Sequence, residues 1–367
     1  MDKVSKEIKM IKKIKKIIND KNINGFIVAK NDDYFTEYAH TNNLELVTKF
    51  SGSAGFALIL KDKNYLFVDG RYTLQAEKQS GKKFKILEIP YVWPKNLFKK
   101  LKIKPKIGFD PKLFTYNTLN KYFEDTCELL PINSNLFDNL KTKLLKKQSS
   151  FYKLNEKVTG QSSDSKINQI VRFLKKKKIN HIFISAGENI CWLLNIRGKD
   201  LPNSPVANCR LILSQNKNIH FFSQKNKISR IKKQFKNLNI TFYEEDEIFE
   251  VISILKNSNF SIDNQTCSIF NEELIKSKFK IINKNDPIYY LKSIKNKIEI
   301  KNMIKAHVED GVALTKFLYW IKNKKINNET EISVEKKLES LRKKNKNYLY
   351  PSFSTIAGSG PNGAIIH

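Results

Sequence analysis

Acidic residues are the conspicuous shortage. Only 36 Asp and Glu stand against 67 Lys and Arg in 367 residues, leaving a formal net charge of +31. Such a balance invites a nucleic-acid partner, yet no RNP, zinc-finger or helix-turn-helix signature accompanies it. The lysines are spread over every expected helix, with Asn and Ile raised alongside, as a compositional bias produces. No specific nucleic-acid partner is expected, only weak salt-sensitive adhesion. Long apolar runs are missing too. None approaches the roughly 18–20 residues that cross a bilayer, and the start Met1-Asp-Lys-Val-Ser-Lys-Glu7 has no signal-peptide h-region. No membrane partner is expected. Cysteine is scarce: Cys127, Cys191, Cys209 and Cys267 lie far apart without CxxC spacing. That speaks against a zinc site and for reduced core thiols in a cytoplasmic protein.

What remains is a chain 40% apolar and long enough for two or three domains. Val4, Ile8, Ile11, Ile14 and Ile18 recur at helical spacing, which predicts an amphipathic helix over 4–19. Strands are expected at 25–29, 56–60, 65–68, 86–89 and 106–109, with a hairpin turn at 61–64. Helices are expected to start at Tyr34 and to cover 73–79 and 94–101. After a basic, Ser-containing stretch the plan returns at an offset of about 155 residues. A helix at 167–176 precedes a strand at 181–185, a polar loop at 187–189, a helix start at 190–194, and strands at 209–213 and 219–222. This predicts an α/β chain with two similar domains, 1–140 and 166–285, joined by a linker at 141–165. A third segment, 286–367, opens at Asp286-Pro287. Its longest helical pattern runs from Lys292 to Lys324, followed by a helix at 334–344 with Ser333 as its N-cap.

Several residues invite chemistry. His307, Glu309 and Asp310 sit about one turn apart, but not in HExxH order, and read as a solvated helix face. His181 and His220 read as satisfied strand histidines. Trp192, Leu193 and Leu194 read as core, with Arg197 and Asp200 as an ion pair fixing a loop. Gly358-Ser-Gly-Pro-Asn-Gly363 matches GxGxxG, but Pro361 and the β-type run after it speak against a dinucleotide loop. Phe353 to Ile356 and Ala364 to Ile366 read as short strands around this glycine loop. Arg71, within Asp69-Gly-Arg-Tyr72, reads from its chemistry alone as a surface arginine paired with a neighbouring carboxylate.

Four stretches carry a resemblance: Phe50-Ser-Gly-Ser-Ala-Gly55, Asp69-Gly-Arg-Tyr72, Gly160-Gln-Ser-Ser163 and the closing Tyr350-to-His367 segment. Together they resemble the Xaa-Pro aminopeptidases (aminopeptidase P) of the creatinase/prolidase, or "pita-bread", metallopeptidase group. Trp192 to Asp200, Pro202-Asn-Ser-Pro205 and Ala306 to Ala313 resemble further parts of that group. The linker lacks the group's Trp and Arg-Pro. The resemblance implies two creatinase-N-terminal-like α/β domains followed by the start of a pita-bread α+β catalytic domain. It implies release of an N-terminal residue from peptides with proline in the second position, with two Mn2+ ions per complete site. His367 would be the catalytic, substrate-contacting histidine, and Arg71 would reach substrate. The group's metal ligands, two Asp, one His and two Glu, would lie after His367. Residues 1–367 alone are then expected to be inactive, with an exposed apolar face along Met303, Leu314 and Phe317. A homodimer is implied for the complete protein. The alternative is a pita-bread-type binding module without catalysis.

Overall fold

The helix Lys3–Asp20 shows how the first half is assembled. Met10, Ile14 and Ile18 lie on one face and are buried, and each side chain taken from water contributes about 1.5–3 kcal/mol. They cover one face of a six-stranded sheet. The computed structural model describes residues 3–36, 42–133, 136, 150–256, 259–323 and 329–364. The sheet's strands are β1 (Gly25–Ala29), β2 (Phe56–Leu60), β3 (Asn64–Asp69), β4 (Lys85–Ile89), β5 (Lys106–Phe109) and β6 (Glu128–Pro131), in the order β4-β3-β2-β1-β5-β6. Each face carries a core cluster, since alternate side chains of a strand point to opposite faces. Phe26 and Val28 pack beneath the first helix, while Ile27 and Ala29 pack with Phe56, Phe67 and Phe123 on the far side.

The second half repeats this plan. A two-stranded piece, β7 (Tyr152–Lys153) with β9 (Ile196–Arg197), flanks a sheet made of β8 (His181–Ile184), β10 (Arg210–Ser214), β11 (Ile219–Phe222), β12 (Ile240–Tyr243), β13 (Asn259–Ile262) and β14 (Lys280–Asn283). Its order is β12-β11-β10-β8-β13-β14. The pairing directions also repeat. β1 is antiparallel to β2 and parallel to β5, just as β8 is antiparallel to β10 and parallel to β13. Two sheets of one topology is what the sequence reading expects. Phe151, in the stretch read as linker, packs into the second sheet's core.

Several local expectations are corrected. The described residues 34–36 are not helical; the helix there is Asn43–Thr48, capped by the Asn42 side chain accepting from Glu45 N. The helix from Pro94 stops at Phe98. Gly187–Asn189 is the first turn of the helix Gly187–Leu194 rather than a loop. The long apolar pattern after residue 287 is two helices, Pro287–Ser293 and Lys297–Asn323. Asn296 breaks it by accepting from Ile298 N and Glu299 N, both at 3.0 Å, so it caps the second helix. The next helix, Glu331–Arg342, starts earlier than expected. Its cap is Thr330, whose Oγ1 accepts from Ser333 N at 3.2 Å, while Ser333 Oγ accepts from Thr330 N at 2.8 Å. The strand expected from Phe353 to Ile356 is not formed; these residues run beside this helix, where no described strand offers a ladder, and residues 365 and 366 of the strand expected at 364–366 lie outside the described residues. Gly360–Ala364 is a 3-10 turn.

The four cysteines are buried free thiols, and burial pushes Cys127 up to about 12 and Cys191 up to about 11. No helix among the described residues is long and apolar enough to cross a membrane.

Candidate functional site

The Asp69-Gly-Arg-Tyr motif sits where β3 hands over to the helix Thr73–Ser80. Asp69 Oδ1 accepts from both Arg71 N and Arg71 Nε at 3.0 Å, and Asp69 Oδ2 accepts from Arg71 Nη2 at 2.8 Å. The planar fork is thus held in a bidentate grip, with the guanidinium carbon 5.2 Å from the centre of the Tyr72 ring. The Arg71 side chain remains 46% exposed, so the charge is oriented and still reachable from solvent.

Tyr72 ties this motif to the other one. Its ring is buried and meets Phe50 edge-on, 5.5 Å between centres, and its hydroxyl lies 2.6 Å from Ser53 Oγ. Gly52 makes the tight return possible, since a Cβ there would stand 2.2 Å from the Phe50 ring. Gln79 Oε1 accepts from Ser51 N at 3.0 Å, anchoring the loop to the following helix. The stretches 50–55 and 69–72 therefore form one cluster that presents Arg71.

Gly160-Gln-Ser-Ser163 is a socket. Gly160 has φ +70 and lies under Asn296, where any Cβ would come within 2.3 Å of Asn296 Oδ1. Asn296 Nδ2 donates to Thr159 O at 2.8 Å, and Asn302 Nδ2 to Val158 O at 3.1 Å. These bonds seat the start of the long helix on the turn. Ser162 caps the helix Ser163–Lys176. Buried Lys166 on that helix donates to Asn195 Oδ1 at 2.7 Å and Trp192 O at 2.9 Å, and burial lowers its amine to about 8.

The expected Arg197–Asp200 pair is not formed. Arg197 donates to the carbonyls of Cys191 and Ile196. Asp200 pairs with Lys227 at 3.0 Å, both side chains 1% exposed. Lys227 reaches it from the buried face of its own helix, a partner the local sequence around Asp200 does not announce. Leu193 and Leu194 are core as expected, and Trp192 packs against their cluster.

The terminal segment meets the second sheet's loop at Asn203, whose side-chain amide lies 3.1 Å from Ser354 Oγ. The glycine loop is held by one carboxylate. Glu331 Oε1 accepts from Ser359 N at 2.5 Å, and Glu331 Oε2 accepts from Asn362 Nδ2 at 3.2 Å. Pro351 to Ile356 line an open cleft of about 300 Å³ with Glu335, Glu339, Arg342 and Tyr348. His367 lies outside the described residues.

The histidines among the described residues hold structural bonds. His181 Nδ1 lies 2.7 Å from Ser214 Oγ and Nε2 2.8 Å from Lys256 O. His307 Nδ1 faces Met303 O, Asp310 pairs with Arg342, and Glu309 accepts from Asn345. Among the described residues no group of three His, Cys, Asp or Glu could hold a metal ion. The described residues therefore do not fit a metal pair.

The profile of the creatinase/prolidase N-terminal domain matches residues 10–140, a second profile of that domain matches 144–299, and that of metallopeptidase family M24 matches 301–367. The chain belongs to the creatinase/prolidase group of the M24 metallopeptidases. Within this group it is 30% identical to a probable Xaa-Pro aminopeptidase P of Laccaria bicolor, across 97% of this chain and 58% of that protein. It is also 30% identical to Xaa-Pro aminopeptidase 1 of Dictyostelium discoideum, across 98% of this chain and 61% of that protein. The chain thus spans about three-fifths of the length of these curated relatives. The fold is that of the X-prolyl aminopeptidase of Caenorhabditis elegans, with a TM-score of 0.85 over 97% of this chain and 62% of that one at 24% identity.

Proposed function

We propose that this chain supplies the two N-terminal domains and the opening of the peptidase domain of a metal-dependent aminopeptidase. The enzyme would release the N-terminal residue from peptides with proline in the second position. The observation that carries this reading is the alignment of almost the entire chain with proteins named Xaa-Pro aminopeptidases. The cluster uniting 50–55 with 69–72 supports it, because it offers an oriented, solvent-reachable guanidinium. A fixed, solvent-reachable positive charge suits a peptide carbonyl or carboxylate. In this reading 1–140 and 166–285 form the platform, 141–165 joins them, and 286–367 opens the peptidase domain.

Arg71 would bind substrate and His367 would contact it at the reacting bond. An Xaa-Pro amide has no N–H to donate and populates cis more readily than other peptides, which favours a pocket shaped for it. The metal pair would be Mn2+, as the family resemblance implies, and none of the described residues is proposed to hold it. The C. elegans enzyme is described as cytosolic with a di-nuclear active site. A cytoplasmic, dimeric enzyme is proposed here on that likeness and on the family resemblance.

The test is release of Arg from Arg-Pro-Pro with and without Mn2+. The complete gene product is expected to release Arg, and residues 1–367 alone are expected not to. Turnover by 1–367 would contradict the placement of the ligands, and no turnover by the complete product would contradict the activity.

A further inference from the structure

The two sheets share a topology, so their positions can be equated through strand pairing. In the first sheet Phe56 opens β2 opposite Phe67 of β3. In the second, Arg210 opens β10 opposite Phe222 of β11. Phe56 stacks on Phe67 at 4.7 Å and on Tyr122 at 4.1 Å, inside its own core. Arg210 at the matching place leaves its sheet for the other domain. Its Nη2 donates to Asp33 O at 2.8 Å, and its guanidinium carbon sits 4.4 Å from the centre of the Tyr34 ring. Glu245, Asp33 and Asp32 add attraction for its charge.

A second set of contacts joins the same two domains. Ile269 N donates to Phe114 O at 2.9 Å and Phe270 N to Pro111 O at 3.0 Å. Tyr116 Oη donates to Glu273 Oε1 at 2.8 Å, and Ile269 packs into the first sheet's core. These contacts combine three hydrogen bonds with an apolar seat. Arg210 adds a second anchor, whose hydrogen bond and ring contact fix both angle and distance.

We propose that Arg210 is a positioning residue that locks the first α/β domain onto the second, and so sets where Arg71 stands relative to the peptidase segment. The link to Arg71 rests on the function proposed above; the lock itself does not. A charged residue occupies a strand position whose twin is a core phenylalanine, and its hydrogen-bond and ring partners lie in the sister domain.

The twin also supplies the test. R210F installs the residue type that the first sheet carries at this place, so the second sheet should still close, with the introduced ring against Phe222. Hydrogen exchange is read amide by amide in residues 1–367. The Ile269 and Phe270 amides should exchange about tenfold faster in R210F, while those of Leu58 and Ile212 keep their protection. R210K, which keeps the charge and loses the fork, should fall between. Unchanged Ile269 and Phe270 amides would overturn the lock, and so would equal acceleration of the sheet amides, which marks general loosening. In the complete gene product R210F should raise KM for Arg-Pro-Pro about tenfold with kcat within about twofold. A loosened interface with unchanged KM would overturn the positioning of Arg71. A wild-type product without peptidase activity would instead count against the proposed function, leaving the exchange result to decide the lock.

Discussion

The Tyr72 hydroxyl and Ser53 Oγ stand 2.6 Å apart and join two motifs that are separate in the chain. That bond, together with the Gln79 anchor at Ser51, fixes the loop beside the Arg71 backbone. Y72F removes the hydroxyl and leaves Ser53 in a half-buried site, so it should cost about 1 kcal/mol in urea unfolding. Y72A also empties a buried ring site and should cost about 3–5 kcal/mol. Equal losses for the two variants would show that the hydroxyl, not the ring, carries the junction.

Arg71 should behave in the opposite way. Its pair with Asp69 is half exposed, so R71A should shift stability by no more than about 1 kcal/mol. A larger loss in denaturant titration would make Arg71 a structural residue and weaken its proposed contact with substrate.

Asp200 and Lys227 form a pair in which both side chains are 1% exposed. K227M leaves a buried carboxylate without its cation and should cost about 3–5 kcal/mol, while D200N/K227M together should recover much of that loss. A double variant as unstable as K227M would show that the charge itself is not the cost.

Asp286 gives a pH dependence. Burial raises its carboxyl from 3.8 to about 6, with Asp263 adding to the rise and Lys292 opposing it. The folded state therefore holds the proton more tightly than the unfolded chain. Its contribution is fully present below about pH 4 and is lost as pH rises through about 6. D286N keeps a capping side chain for Ile288 N but cannot titrate. The stability of the native chain relative to D286N should fall between pH 4 and pH 7. A difference independent of pH would contradict the raised carboxyl.

Gly160 combines φ +70 with Asn296 directly above it. G160A should cost about 1–3 kcal/mol and should speed amide exchange in the first turns of the helix Lys297–Asn323. Loss of stability without that local change would mean the socket does not hold the helix.

Much of the fold was legible because the central strands are continuous apolar runs. All five residues of Gly25–Ala29 are buried, and its twin His181–Ile184 is the same. Two edge strands that were not assigned from sequence, unlike the edge strand Lys85–Ile89, have patterns that explain why. Glu128–Pro131 and Lys280–Asn283 each run exposed, half-buried, half-buried, exposed, which no two-residue alternation marks. The helix break at Asn296 was hidden because apolar residues continue through it at helical spacing, while the cap that ends the pattern is a single side chain.

Within the candidate site, the glycine-containing motifs and Arg71 stood out by residue type and spacing. The Ser53–Tyr72 bond did not, since it joins residues 19 apart. Asn296 over the Gly160 turn and Arg210 against Tyr34 join residues still farther apart in the chain. A signal for Arg210 was present all the same. It is a charge in a strand whose repeat carries phenylalanine, visible once the two sheets are aligned strand by strand. The exposed apolar face expected along the long helix is there at Met303 and Leu314, 48% and 40% exposed, while Phe317 is half-buried against Trp320.

The central claim is that Arg71 serves a proline-selective, metal-dependent peptidase. Its most direct test is the steady-state release of Arg from Arg-Pro-Pro and Arg-Ala-Pro by the complete gene product and its R71A variant. The account predicts metal-dependent release from Arg-Pro-Pro alone, with kcat/KM about 10–100-fold lower in R71A. Equal release from both peptides, or an R71A variant as active as the native enzyme, would contradict it.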